Sequence, residues 1–165
     1  MRLQELGHEL RAARRAQSLT QARLAASTGI SRETLNLLEN GLVRELGVRK
    51  ILALLEKLGL DLAIEQRERP RRPDYVRMAC ITANVSFKSA LTEDELIHAL
   101  LTGKVPAQRE AHLRTLLDEA PSELLQGLVT EAGRWMSRKK LERNLRRLAQ
   151  DVHASRRIDE WLKSD

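Results

Sequence analysis

Leu19-Thr20-Gln21-Ala22-Arg23-Leu24-Ala25-Ala26-Ser27-Thr28-Gly29-Ile30-Ser31-Arg32-Glu33-Thr34-Leu35-Asn36-Leu37-Leu38-Glu39-Asn40-Gly41 is the stretch whose reading decides the fold. Thr20 and Ser31 are residues that cap helix N-termini, and each opens a short segment of helical periodicity. Gly29 breaks the chain between the two segments, and Gly41 stops the second. Leu24, Ala25, Ile30, Leu35 and Leu38 form one shared apolar face. Ala25 is small enough to let two helices approach closely. The pattern predicts a helix-turn-helix whose second helix keeps a polar face for reading base edges.

Working outward, Leu3, Leu6, Leu10 and Ala13 recur at helical spacing and predict a first helix packed on this pair. Downstream, Val48, Ile51, Leu52, Leu55 and Leu58 form a further helical stripe stopped by Gly59. Leu60, Leu62 and Ile64 then alternate with Asp61, Ala63 and Glu65, the two-residue period of a strand. A lone strand cannot satisfy its own backbone, so its simplest partner is the same strand of a second copy in a two-fold dimer. The alternative is irregular chain leading out of the domain. Residues 67–74 hold Pro70, Pro73 and four arginines, and predict a linker between domains at 1–66 and 75–165. Its arginines either reach phosphates as basic arms do or are simply solvated.

The second half is helical in pattern throughout. A helix is predicted over 75–89. Thr92-Glu93-Asp94-Glu95 has the form of a capping box, with Leu96, Ile97, Leu100 and Leu101 behind it and Gly103 to stop it. Pro106 suits the first turn of a helix carrying Leu113, Leu116 and Leu117, and Pro121-Ser122 opens another with Leu124, Leu125, Leu128 and Val129. A basic helix follows over 138–153 with Leu141, Leu145, Leu148 and Val152 inward, then a short segment ending in Ile158, Trp161 and Leu162. Amphipathic helices of this length make a small bundle.

Composition bounds the function. The chain has 165 residues, 42% apolar and 32% charged, with 2% aromatic, so its core is aliphatic and favours helices over strands. The apolar runs are too short for a spanning helix, and residues 1–5 lack the apolar core of a signal peptide, which together imply a cytoplasmic location. Cys80 is the single cysteine, so an intrachain disulfide is ruled out, as is a thiolate-rich zinc site. His8, His98, His112 and His153 are scattered, and the chain contains neither a Gly-rich phosphate loop nor a nucleophile signature. We therefore expect no enzyme, no metal and no cofactor. The net charge is +6, concentrated at 1–32 (six arginines against Glu5 and Glu9) and at 134–147 (seven basic residues against Glu142). That balance favours a polyanionic partner.

Leu10, Arg11 and Arg14, Thr20-Gln21 followed by Leu24-Ala25, Gly29-Ile30-Ser31, and Glu39-Asn40-Gly41 together resemble the Xre family of bacterial repressors, which includes the lambdoid phage repressors. Glu45-Leu46-Gly47-Val48-Arg49-Lys50-Ile51 through Leu58-Gly59-Leu60-Asp61-Leu62 is similar to the HipB-like antitoxin branch. The resemblance implies an all-α fold: a five-helix, lambda-repressor-like helix-turn-helix domain with one short dimer-forming strand (Leu60, Leu62, Ile64), followed here by a small helical bundle that resembles no family. It also implies an ion pair between Arg14 and Glu39 that braces the first helix against the recognition helix.

On such a helix the N-terminal side chains reach bases, which makes Ser31, Arg32, Glu33 and Asn36 the candidates. Arg32 can bond guanine in bidentate fashion, while Glu33 either accepts from cytosine or orients Arg32. Leu37 departs from the phage-repressor pattern, where a polar residue is common, and either touches a thymine methyl or packs on a neighbour. Gln21, Arg23, Asn40 and Arg44 are the candidate phosphate contacts. Two functions fit: the autoregulating antitoxin of a type II toxin–antitoxin module, whose C-terminal bundle holds the toxin, or a stand-alone dimeric regulator whose bundle oligomerises or senses a ligand. Both require a homodimer on a pseudo-palindromic duplex.

Overall fold

The computed structural model describes residues 2–43, 45–63 and 73–162, and divides the chain into two compact units, Met1–Arg71 and Arg72–Asp165. Among the described residues the fold is all-helical and contains no strand.

The first unit holds α1 (Leu3–Ala16), α2 (Gln21–Thr28), α3 (Arg32–Glu39) and α4 (Val48–Lys57), so four of the five expected helices lie among its described residues. Leu6, Leu10, Leu24, Ala25, Ile30, Leu35, Leu38, Leu54, Leu55 and Leu58 form one buried aliphatic core. Here α1 packs on α3, and α2 packs on α3 and α4. Gly41 takes positive φ and closes α3, α4 begins after Gly47, and the described residues between them, 42, 43 and 45–47, are not helical. After Gly59, residues 60–63 are irregular and Leu62 is exposed, while Ile64, Glu65 and Gln66 lie outside the described residues.

In the second unit α5 (Tyr75–Asn84) packs against α6 (Glu93–Thr102), α7 (Glu110–Glu119) and α8 (Ser122–Ala132); α9 (Arg138–Asp151) lies on α6 and α7, and α10 (Asp159–Leu162) on α8. The helix expected over 75–89 is shorter than that. Asn84 ends it by bonding Leu91 both ways, its Nδ2 donating to the Leu91 carbonyl at 3.0 Å and its Oδ1 accepting from the Leu91 N–H at 2.7 Å. Pro106 also falls outside a helix, since its carbonyl accepts from Arg109 N in a turn and α7 starts at Glu110. Thr92 and Glu95 form the reciprocal capping box at the start of α6, and Gly103 closes that helix at φ 68°. Leu141, Leu145, Leu148 and Val152 are buried.

Two buried polar side chains, Glu131 and Asn144, and the exposed Arg114 join these helices. Glu131 of α8 accepts from the Tyr75 and Val76 N–H groups at 2.8 and 3.2 Å, which places a carboxylate at the positive end of α5. Asn144 of α9 donates to the Leu100 and Leu101 carbonyls at 2.8 and 2.9 Å, satisfying groups that the end of α6 leaves open. Arg114 donates to the Val152 carbonyl at 2.6 Å and ties α7 to the end of α9.

Candidate nucleic-acid interface

The helix-turn-helix is set by its punctuation. Thr20 accepts from the Arg23 N–H at 3.2 Å and Ser31 from the Thr34 N–H at 3.0 Å, so each helix starts on a hydroxyl cap. Between them Gly29 takes φ 68°, a left-handed conformation that costs a glycine nothing. After α3, Gly41 donates to the Leu38 carbonyl and Leu42 to the Leu37 carbonyl, the paired bonds of a Schellman stop.

These stops fix the rotation of α3. Leu35 and Leu38 are fully buried, which leaves Arg32, Glu33 and Asn36 exposed and Leu37 38% exposed. Ser31 is exposed but occupied as the cap, its Oγ also within 2.8 Å of Thr34 Oγ1. Asn36 Oδ1 accepts from Asn40 Nδ2 at 2.7 Å, and Asn40 in turn accepts from Arg11 at 3.4 Å. Of the candidate base readers, Arg32 and Glu33 therefore project with no side-chain bond among those above.

Beneath this face lies one buried carboxylate. Arg14 Nε and Nη2 donate to the two Glu39 oxygens at 2.6 and 2.8 Å, and Arg14 Nη1 donates to the Leu19 carbonyl at 2.6 Å. Gln21 Nε2 adds a third donor to Glu39 at 2.9 Å. Burial by itself would push the Glu39 carboxyl up; the bonds from Arg14 and Gln21 and the charges of Arg14 and Arg11 outweigh it and hold the group below its ordinary range. The hydrogen bond to Glu39 correspondingly raises Arg14. Both charges are present at neutral pH. The pair joins α1 to α3, with α2 attached through Gln21.

Gly7, which a stripe-based reading passes over, makes the same junction possible. It is buried in α1, and a Cβ there would overlap the carbonyl oxygen of Leu38. Sequence reasoning assigns Gln21 to phosphates alone, yet its side chain is half committed to Glu39. Arg23 is exposed on α2, and Arg44 lies outside the described residues.

A helix-turn-helix family model matches residues 10–64. Residues 10–64 are an Xre-type helix-turn-helix domain. The match begins inside α1 and ends just past Leu62, so the Xre-type domain includes the Arg14–Glu39 pair and all the candidate contacts above. Domains of the Xre type are those of DNA-binding transcription regulators. No curated protein and no solved structure matches the chain. Among the described residues, no helix is long and apolar enough to cross a membrane, and no cluster of three or more His, Cys, Asp or Glu side chains is placed to hold a metal ion.

Proposed function

We propose that the protein is a sequence-specific transcriptional repressor that binds a pseudo-palindromic operator as a homodimer. The observation that carries this reading is the braced α3, which turns Arg32, Glu33, Asn36 and Leu37 outward from a buried aliphatic face. In the bound form Arg32 takes a guanine edge, Glu33 a cytosine amine, the Asn36 amide nitrogen a base acceptor and Leu37 a thymine methyl, with Ser31 at the rim. Gln21 keeps one amide hydrogen for a phosphate after its bond to Glu39. Arg23, Asn40 and Arg44 complete the backbone contacts. Leu60, Leu62 and Ile64 pair with their symmetry mates, and the exposed Val48, Leu52 and Leu62 supply apolar surface for that dimer.

The second unit supports a finer reading, the autoregulating antitoxin. Met78 and Ile81 of α5 and Val85 at its C-terminal cap are 45%, 61% and 79% exposed, a stripe suited to a protein partner such as a toxin. A stand-alone regulator is the second reading, favoured if the same stripe meets only another copy of the chain.

Selection from random duplex sequences tests the repressor reading. A two-fold site with half-sites about one helical turn apart, 34–36 Å, is the expected result. Arg32→Ala should weaken the selected site by roughly 1–3 kcal/mol and relax one base position. Equal loss on selected and random duplexes would remove Arg32 from the base readers. Co-expression with the adjacent gene's product separates the two finer readings: Ile81→Asp should release a toxin while operator affinity stays, whereas a stand-alone regulator would show no such complex.

A further inference from the structure

One face of the second unit is built of charge. On α9 the inward side is Leu141, Asn144, Leu145 and Leu148, whereas Arg138, Lys139, Arg143, Arg146 and Arg147 are all exposed. The helix carries six basic residues against Glu142 and Asp151, and Lys139, Arg143, Arg146 and Arg147 line an open groove with those two acids. A second open groove continues from Arg146 past His153 to Arg156 and Arg157.

The acids on this face engage it only loosely. Arg138 meets Glu142 at 2.9 Å, Arg146 meets Asp159 at 2.9 Å and Arg147 lies 3.7 Å from Asp151, each arginine more than half exposed. Pairs so hydrated exchange readily for another anion. The scaffold under them is fixed: Asn144, 4% exposed, holds α9 to the end of α6 through two carbonyls, so the helix cannot roll its arginines away.

We infer that the exposed face of α9 is a second duplex-DNA contact, which grips phosphates and reads no bases. The inference rests on the helix-turn-helix reading of residues 10–64. Two features of the face select DNA over an acidic protein. First, the exposed positions of α9 are charged or amide side chains, and protein interfaces are anchored by aromatic or aliphatic groups that this face lacks. Second, four of the five exposed cations are arginines, at 138, 143, 146 and 147, whose forked donors suit phosphate oxygens. Fourteen helical residues span roughly 21 Å, more than half a duplex turn. Joined in one chain to a base-reading domain, even a weak phosphate contact acts at high effective concentration.

The test uses the full chain. Arg143, Arg146 and Arg147 are changed together to Glu, and in a second variant to Gln, with Arg77, Lys88 and Lys104 changed together to Glu as a charge-matched control among exposed residues of the same unit. Affinity for the selected operator and for random duplex is measured across a salt series. The α9 variants should lose affinity for both duplexes alike, and the slope of log affinity on log salt should fall by about 3, the counterions no longer released at three phosphates. The control should lose much less. An unchanged slope in the Gln variant, or an equal loss in the control, overturns the proposal, as does retained DNA affinity with loss of an acidic protein partner. If the Glu variant loses helical circular dichroism, the Gln variant alone decides. Failure of the unaltered protein to bind any duplex would refute the helix-turn-helix reading instead, so the two failures are distinct.

Discussion

Glu39 is where three helices meet a single charge, and its environment fixes what its loss should do. Glu39→Ala strands the Arg14 guanidinium, itself 8% exposed, without its anion. Breaking one side of such a buried pair costs about 3–5 kcal/mol, so the first unit should melt far lower in the variant. Replacing both partners by apolar residues, Arg14→Met with Glu39→Leu, should cost much less, because no charge is left buried. Calorimetry of the two variants beside the unaltered protein checks the order. Acid should act through the same group. Glu39 is held below the ordinary glutamate value of 4.5, so on acidification the unfolded chain takes up its proton first. Its contribution is complete above about pH 4.5 and fades as pH falls through the lowered value. Glu95, also held low against burial by the Thr92 N–H and Arg109, behaves alike in the second unit. Melts between pH 7 and pH 3 should therefore show a shallower acid slope for the first unit in Glu39→Gln.

At the scale of elements, close approach decides more than propensity. Gly7→Ala gains about 1 kcal/mol in helix propensity. The new methyl must displace the Leu38 carbonyl, and overpacking of this kind costs about 1–3 kcal/mol. A net loss of stability is expected, and a stabilised variant would show that α1 and α3 can separate freely. Leu62→Pro tests the proposed dimer, since proline would remove a donor from the proposed ladder. Dimer mass by sedimentation and operator affinity should fall together while circular dichroism stays helical. The contrast between these two sites also explains what the sequence discloses. Caps and stops such as Thr20, Ser31, Gly41 and the Thr92–Glu95 box are legible because each acts on backbone within a few residues. Gly7 is not, because a glycine inside an apolar stripe reads only as a poor helix former. Gln21, Glu131 and Asn144 are silent for a different reason: their partners lie 18, 56 and 44 residues away, and no local pattern encodes such a pairing.

For the molecule as a whole, each unit closes its own core: aliphatic in the first, and leucine-rich with Trp135 and Trp161 in the second. Each is expected to unfold as its own cooperative step, with Glu39→Gln shifting one transition and leaving the other in place. A single calorimetric peak that moves as one would contradict this. Within the first unit the Glu39 carboxylate has a further consequence. An excursion that detaches α1 takes Arg14 from Glu39 and leaves a charge stranded among leucines, and one that detaches α2 removes the Gln21 donor from the same carboxylate, so partial opening is disfavoured relative to opening all three helices together. Backbone amides in α1, α2 and α3 should then exchange with deuterium at one common protection, and the surface proposed to meet the operator would be presented whole or lost whole, without a half-formed state that still binds.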